Sequence, residues 1–215
     1  MRPPVPGRVK TRLARDLGDE AACDLYRAMV ADCIANVRGA GFPLFLFHDG
    51  PDAGGLPPEW RAAADRTFSQ EGDSLGERMD AAFQRSFASG AKGVILTGSD
   101  IPGIDAGLLH SAQGAMNEHD VVFSPAHDGG YCLVASRNCR YHNGMFQGIP
   151  WSTSAVLETT IAVCSAQGLS YDLLEPRQDI DTMNDLADYC RRPSGSAPTT
   201  NAWLVARGLL DPLRG

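Results

Sequence analysis

An α/β fold with parallel strands is predicted by three features of the sequence. Short apolar, β-branched runs bounded by glycine, of which Gly93-Val94-Ile95-Leu96-Thr97 is the clearest, read as fully buried parallel strands. Stretches with apolar residues three and four apart read as amphipathic helices. A helix over 19–38 followed by a strand over 43–47 is half of a βαβ repeat.

The elements follow in order. Residues 1–13 hold Pro3, Pro4, Pro6 and Gly7 and read as loop. In the 19–38 helix, Ala22, Leu25, Met29, Cys33 and Val37 form one stripe, Asp19 and Glu20 suit the first turn, and Gly39 and Gly41 end it. Residues 43–47 are the next strand, closed by His48-Asp49-Gly50; a short helix follows at 59–64. Gly72 to Met79 opens a helix in which Ser74 and Glu77 make a capping box and Leu75, Met79, Phe83 and Phe87 make the core stripe. After the 93–97 strand come a helix at 105–117 and strands at 120–123 and 132–135. A helix at 153–167 takes Ser152 or Thr153 as N-cap. A strand at 171–174 then leads to a helix at 183–190 capped by Asp181 or Thr182. Residues 192–200 read as linker, and Ala202–Leu210 as a short terminal helix. The main domain is expected over 1–191, with linker and helix over 192–215.

Composition narrows the function. A net charge of −7 lacks the basic face that non-specific nucleic-acid binding requires. No apolar run approaches the ~20 residues of a membrane span, and the N-terminus has no signal-peptide core. The six cysteines form no Cys-x-x-Cys pair, so buried reduced thiols in a cytoplasmic protein are expected rather than zinc or disulfides.

Several positions carry chemistry. The 93–97 strand ends at Gly98-Ser99-Asp100-Ile101-Pro102, and ligands of open α/β sheets bind beyond the carboxyl ends of strands. A carboxylate there can hold a divalent cation that holds a diphosphate; an Asx turn or helix cap is the other reading of Asp100. Arg8, Lys10 and Arg12 beside Gly7 suit phosphate, or form a solvated basic tail. Gly76 costs its helix roughly 1 kcal/mol against alanine, which points to close approach by backbone or ligand, or to helix packing. Arg78 lies opposite the stripe, placed to face a ligand. Asp128-Gly129-Gly130 is a hairpin turn or a site of close ligand approach, and the neighbouring His127 is either solvated or a metal ligand. Trp151 closes over a sugar or base, or packs in the core. Asp179 and Asp181, two apart in extended chain, point the same way; capping accounts for one and leaves the other for a metal.

Five blocks stand in one order: Pro4-Val-Pro-Gly-Arg-Val-Lys-Thr-Arg-Leu13, Gly98-Ser-Asp-Ile-Pro102, Ser124-Pro-Ala-His-Asp-Gly-Gly-Tyr131, Ile149-Pro-Trp-Ser-Thr153 and Asp179-Ile-Asp-Thr182. Over about residues 4–190 they resemble the bacterial GT-A glycosyltransferase-like family called selenodomain-associated transferase. That family is related to the guanylyltransferases for molybdenum cofactor and 2-phospholactate. The resemblance implies a nucleotide-diphospho-sugar transferase fold: three layers, α/β/α, around a mostly parallel sheet. It implies Mg²⁺ or Mn²⁺ held by Asp100 with Asp179 or Asp181, and nucleotide phosphates gripped by Lys10 and Arg12. Pro6 and Gly7 give backbone access, and Gly76 and Arg78 are added to the nucleotide side. Asp128, Gly129, Gly130 and Trp151 line the acceptor side, with Asp100, Asp128 and Lys10 catalytic.

The implied activity is transfer from a nucleotide sugar to a small-molecule acceptor. The alternatives are nucleotidyl transfer with release of pyrophosphate, and an inactive nucleotide-binding module. The family's first central strand precedes the phosphate loop, whereas here residues 1–6 contain three prolines, so that strand is expected to be missing. Weak nucleotide binding is the corresponding expectation.

Overall fold

In the computed structural model, which describes residues 1–211, the elements run in chain order as α1 (Thr11–Leu17), α2 (Asp19–Gly39), β1 (Phe45–His48), α3 (Pro58–Ala63), β2 (Arg66–Ser69), α4 (Leu75–Ala88), β3 (Gly93–Thr97), α5 (Ala106–Ala115), β4 (Val121–Pro125), β5 (Tyr131–Arg137), α6 (Val156–Ala166), β6 (Tyr171–Leu173), α7 (Met183–Arg191) and α8 (Pro198–Ala206). They form two compact units. The first comprises Met1–Ser69, Ser99–Ala106 and the chain from Gln178; the second comprises Gln70–Gly98 and Gly107–Arg177.

The first unit is organised on α2. Its stripe is buried as expected at Ala22, Leu25, Met29 and Cys33, and the first three pack with Val9, Leu13, Leu46, Trp60, Ile180, Leu186 and Leu204 in one core. β1 and β2 pair in parallel from Phe45↔Arg66 to His48↔Ser69. The Leu44 carbonyl accepts from the β2 side, at Asp65 and Arg66, so the odd residues of β1 turn to the other edge. There the Met1 amine donates to the Phe47 carbonyl at 2.5 Å and the Asp49 amide donates to the Met1 carbonyl at 2.8 Å. Residues 1–6 form no strand.

The terminal segment is part of this core. Asp32, buried on α2, accepts from the amides of Thr199 and Thr200 and from the Thr200 hydroxyl, capping α8 from another helix. α8 accordingly starts at Pro198, four residues before the expected Ala202. Residues 212–215, the end of the expected tail, lie outside the described residues.

The second unit carries a four-stranded sheet in the order β3-β5-β4-β6. Its core includes Phe83 of α4, Phe123 of β4, Val134 of β5, Met145, Phe146 and Cys164 of α6. β4 pairs with β6 in parallel, but β3–β5 and β4–β5 are antiparallel. The α/β class therefore holds with mixed pairing. The expectation of a fully buried parallel strand at 93–97 is corrected: β3 lies at one end of this sheet, only half-buried, because the hairpin through Ala126–Gly130 turns β5 back between β3 and β4.

Other corrections are local. α1 takes in the end of the 1–13 stretch expected as loop, and β2 is a strand with no counterpart in the sequence reading. The Ser74–Glu77 capping box is present, but Leu75 of the expected stripe is 53% exposed; the helix buries Gly76, Ala82, Phe83 and Ser86. α6 begins at Val156 after Ala155, with no side-chain cap from Ser152 or Thr153. None of the six cysteines is in a disulfide. Among the described residues no helix is long and apolar enough to cross a membrane.

Candidate functional site

Four charged residues of the first unit, from three stretches distant in sequence, converge. Lys10 Nζ lies 2.7 Å from Asp100 Oδ2 and 2.7 Å from Asp181 Oδ1, and Arg12 Nη1 lies 3.7 Å from Asp181 Oδ2. Each charge stands beside a buried apolar anchor in the chain: Val9 before Lys10, Ile101 after Asp100, Ile180 before Asp181. Anchored backbone next to an ionised group fixes where that group points. The Lys10 side chain is 3% exposed, while Asp100 and Asp181 keep 32% and 42%.

The local structure serves the same end. Lys10 is the N-cap of α1 with φ 46° and ψ 44°, left-handed geometry uncommon for a residue with a β-carbon. Strain of this kind persists only where surroundings impose it; here Val9 and Leu13, on either side, are buried. Asp100 follows β3 in a loop closed by the Ile104 amide on the Ile101 carbonyl. Asn36 of α2 donates to the carbonyls of Ile104 and Ser196, and the Ser196 hydroxyl donates to the Pro102 carbonyl, so the terminal segment braces the Asp100 loop. Thr182 caps α7, sharing a capping box with Asp185, which leaves the Asp181 carboxylate for Lys10.

Electrostatics bind the cluster. Burial alone would push the Asp100 carboxyl up, but the Lys10 ammonium holds it below its ordinary value. Burial likewise pushes Lys10 down, yet Asp100 and Asp181 hold it above its usual range. The two carboxylates already share one cation, the Lys10 ammonium. Two carboxylates with phosphate oxygens and water are a common way to hold Mg²⁺. Among the described residues no group of three or more His, Cys, Asp or Glu is so arranged.

The remaining sequence-nominated residues are placed differently. Asp179 is half-buried, two residues before Asp181. Pro6 and Gly7 are exposed; Gly7 has φ +75°, and a β-carbon there would lie 3.3 Å from the Asp19 carboxylate. In the second unit, a β-carbon on Gly76 would lie 2.8 Å from the Phe146 carbonyl and 2.9 Å from the Trp151 ring, so this glycine serves close packing under the indole. Trp151 meets Tyr131 edge-on. Arg78 Nε donates to the Gly72 carbonyl. Asp128 accepts from the Gly130 amide in an Asx turn, and the Gly129 carbonyl accepts from the Leu157 amide. Gly129 has φ +88°, and a β-carbon on it would sit 2.1 Å from the Ser154 carbonyl oxygen. His127 is exposed.

Sequence reasoning missed Asn36 and Tyr26. The Tyr26 hydroxyl donates to the Arg2 carbonyl and accepts from the Arg2 amide, holding the N-terminal segment on α2. The available signal was polarity out of place: Asp32 and Asn36 adjoin the apolar stripe of a core helix.

The chain is similar to several proteins of solved structure. A solved structure from Desulfovibrio desulfuricans G20, described as a "putative nucleotide-diphospho-sugar transferase", superposes with a TM-score of 0.88 at 31% identity, covering 97% of this chain and 92% of that one. The Rv0371c structure from Mycobacterium tuberculosis H37Rv is 18% identical over 73% of this chain and 80% of its own, with a TM-score of 0.48. A homolog of it from Mycobacterium sp. strain JC1 is 16% identical over 73% and 78%, with a TM-score of 0.46. No curated protein matches the chain. The family profile described as "Uncharacterized protein conserved in bacteria (DUF2064)" matches residues 34–153, more than half of the sequence, and the chain belongs to that family.

Proposed function

We propose that this protein is a transferase acting on a nucleotide-diphosphate-activated donor, in the first instance a nucleotide sugar. The observation that carries the reading is the convergence of Lys10, Asp100 and Asp181 in the first unit. Similarity to the 31% identical Desulfovibrio protein, a nucleotide-diphospho-sugar transferase by its description, supports the same class. Asp100 and Asp181 would hold Mg²⁺ or Mn²⁺, which when bound neutralises charge on the donor's diphosphate. Lys10 and the exposed guanidinium of Arg12 stabilise the negative charge that develops on the leaving phosphate. In the glycosyl reaction an acceptor oxygen bonds to the anomeric carbon, the bond from that carbon to the phosphate oxygen breaks, and the nucleoside diphosphate leaves with the electron pair. The acceptor's proton passes to solvent or to a base. Asp128, Gly129, Gly130 and Trp151 are assigned to the acceptor by the resemblance of their motifs.

Calorimetric titration of a nucleoside diphosphate with and without Mn²⁺ tests this. Wild type should bind markedly more tightly with the metal, and Asp100→Asn should lose that enhancement while keeping its fold. The same enhancement in Asp100→Asn would overturn the assignment. Product analysis with nucleotide sugars then separates the reactions: free nucleoside diphosphate marks glycosyl transfer, whereas pyrophosphate from a nucleoside triphosphate marks nucleotidyl transfer.

A further inference from the structure

Lys10 stands where a cation bridging Asp100 Oδ2 and Asp181 Oδ1 would sit. Its ammonium bridges the two carboxylates at 2.7 Å each, and its side chain is 3% exposed. An ammonium and a divalent cation cannot both occupy that space. From this we infer that Lys10 is an exchangeable internal counter-ion: a divalent cation entering between Asp100 and Asp181 expels the Lys10 ammonium, and the expelled ammonium becomes the phosphate-gripping charge. The inference rests on the function proposed above and adds an order of events to it. Metal and Lys10 compete while no nucleotide is present and cooperate once a diphosphate arrives.

The choice of side chain suits exchange. Lys10 and Lys92 are the chain's two lysines, all other strong cations being arginine. An arginine would clamp a carboxylate through a rigid two-pronged contact, whereas a lysine is a compact point charge on a flexible stem. The stem can swing while the backbone stays anchored by Val9 and Leu13, both buried. Nearby Arg12 is 69% exposed and 3.7 Å from Asp181, so it offsets the second carboxylate's charge from the rim without occupying the bridge. Once the ammonium has left, the two carboxylates repel each other, and a divalent cation relieves that repulsion.

The test uses the wild-type protein and Mn²⁺ alone. An amine-acylating reagent is applied across a Mn²⁺ titration, and the modified peptides are read by mass spectrometry. Lys92, which is exposed, is the internal reference. Lys10 should be protected without metal, and its labelling relative to Lys92 should rise several-fold with Mn²⁺. In Asp100→Asn that rise should vanish. As an independent arm, calorimetry of Mn²⁺ alone should show Lys10→Met binding the ion about tenfold tighter or more than wild type, because the competing charge is gone. The same variant should bind a nucleoside diphosphate with Mn²⁺ more weakly. Unchanged or falling Lys10 labelling while Mn²⁺ binds would overturn the inference, as would Lys10→Met binding Mn²⁺ no better than wild type. Metal-enhanced nucleotide binding together with static Lys10 labelling would leave the proposed function standing and remove only the exchange. Lys10 expulsion by Mn²⁺ with no nucleotide binding would support the exchange and remove the proposed function.

Discussion

The charged cluster of the first unit and the paired loops of the second are built by opposite means. Lys10, Asp100 and Asp181 are arranged by charge, each side chain hung from a buried neighbour and drawn to the others. The Asp128–Gly130 corner and the Pro150–Thr153 turn are arranged by shape. There Gly129 stands against the Ser154 carbonyl, Ser152 takes a left-handed φ of 66°, and Gly76 lets Trp151 lie on α4. The described residues contain two non-glycine positions with positive φ, Lys10 and Ser152, and one falls in each region. Backbone strain is thus common to both, but the forces that hold it differ. The first region should respond to salt and metal; the second should respond to volume.

The largest effect is expected at Gly129. An alanine there meets the Ser154 oxygen at 2.1 Å and must also hold φ +88°, so either the corner or the turn has to move. Gly129→Ala should lose about 3 kcal/mol or more in urea unfolding, with the same loss at low and high salt. A loss under ~1 kcal/mol would show that the corner yields easily and that shape does not hold it.

Ser152 sharpens the same point from the other side. A β-branched residue at positive φ is strongly disfavoured, while glycine accepts it. Ser152→Val should cost about 2 kcal/mol, and Ser152→Gly should stay within about 0.5 kcal/mol of wild type, relief of strain being offset by backbone entropy. Equal losses in both variants would mean that the serine side chain, not the backbone, supports the turn.

At Lys10 the expected loss is smaller and depends on salt. Breaking a buried pair costs about 3–5 kcal/mol and breaking an exposed one about 0–1. With Asp100 and Asp181 at 32% and 42% exposure, Lys10→Met in ligand-free protein should lose about 1–2 kcal/mol at low ionic strength. In 1 M salt the loss should shrink, since the repulsion left between two carboxylates is screened. A loss that ignores salt would place Lys10 with Gly129, as a packing residue.

How much of this was legible in the sequence follows the same division. Helices with long stripes were, because α2 carries its periodicity and α4 its capping box locally; so were the blocks holding Lys10, Asp100 and Asp181. What was not legible depends on distant partners. β2 has one large apolar residue, Phe68, and owes its place to the rings of Phe45 and Phe47 across the ladder. α1 is a single short helix whose one fully buried side chain is Leu13. The direction of the neighbours of β3 is set by a hairpin some thirty residues on, which no local pattern encodes. That Asp181 is not the α7 cap depends on Thr182 and Asp185 satisfying that helix terminus between themselves.

The smallest effect expected is a pH dependence in the second unit, a charged contact within the region otherwise built by shape. The Asp120 carboxylate accepts from the Ser170 hydroxyl at 2.7 Å and from the Ser170 amide at 2.8 Å, tying the start of β4 to the turn before β6. The Ser170 hydroxyl first and then its amide hold Asp120 below its ordinary 3.8, with Arg140 adding a little. A carboxylate whose folded pKa is depressed contributes stability that is present above the unfolded value and is lost as pH falls through the folded one. Ser170→Ala removes the hydroxyl donor and keeps the amide. The variant should therefore be less stable than wild type by under ~1 kcal/mol at pH 7, a charge-assisted hydrogen bond discounted for its contact with solvent. Below 3.8 the gap should narrow as the wild-type carboxyl takes up its proton. Urea midpoints for the two proteins at pH 7, 4 and 3 measure it. A gap constant across that range would assign Ser170 a packing role and leave the second unit without a charge-dependent joint at this strand.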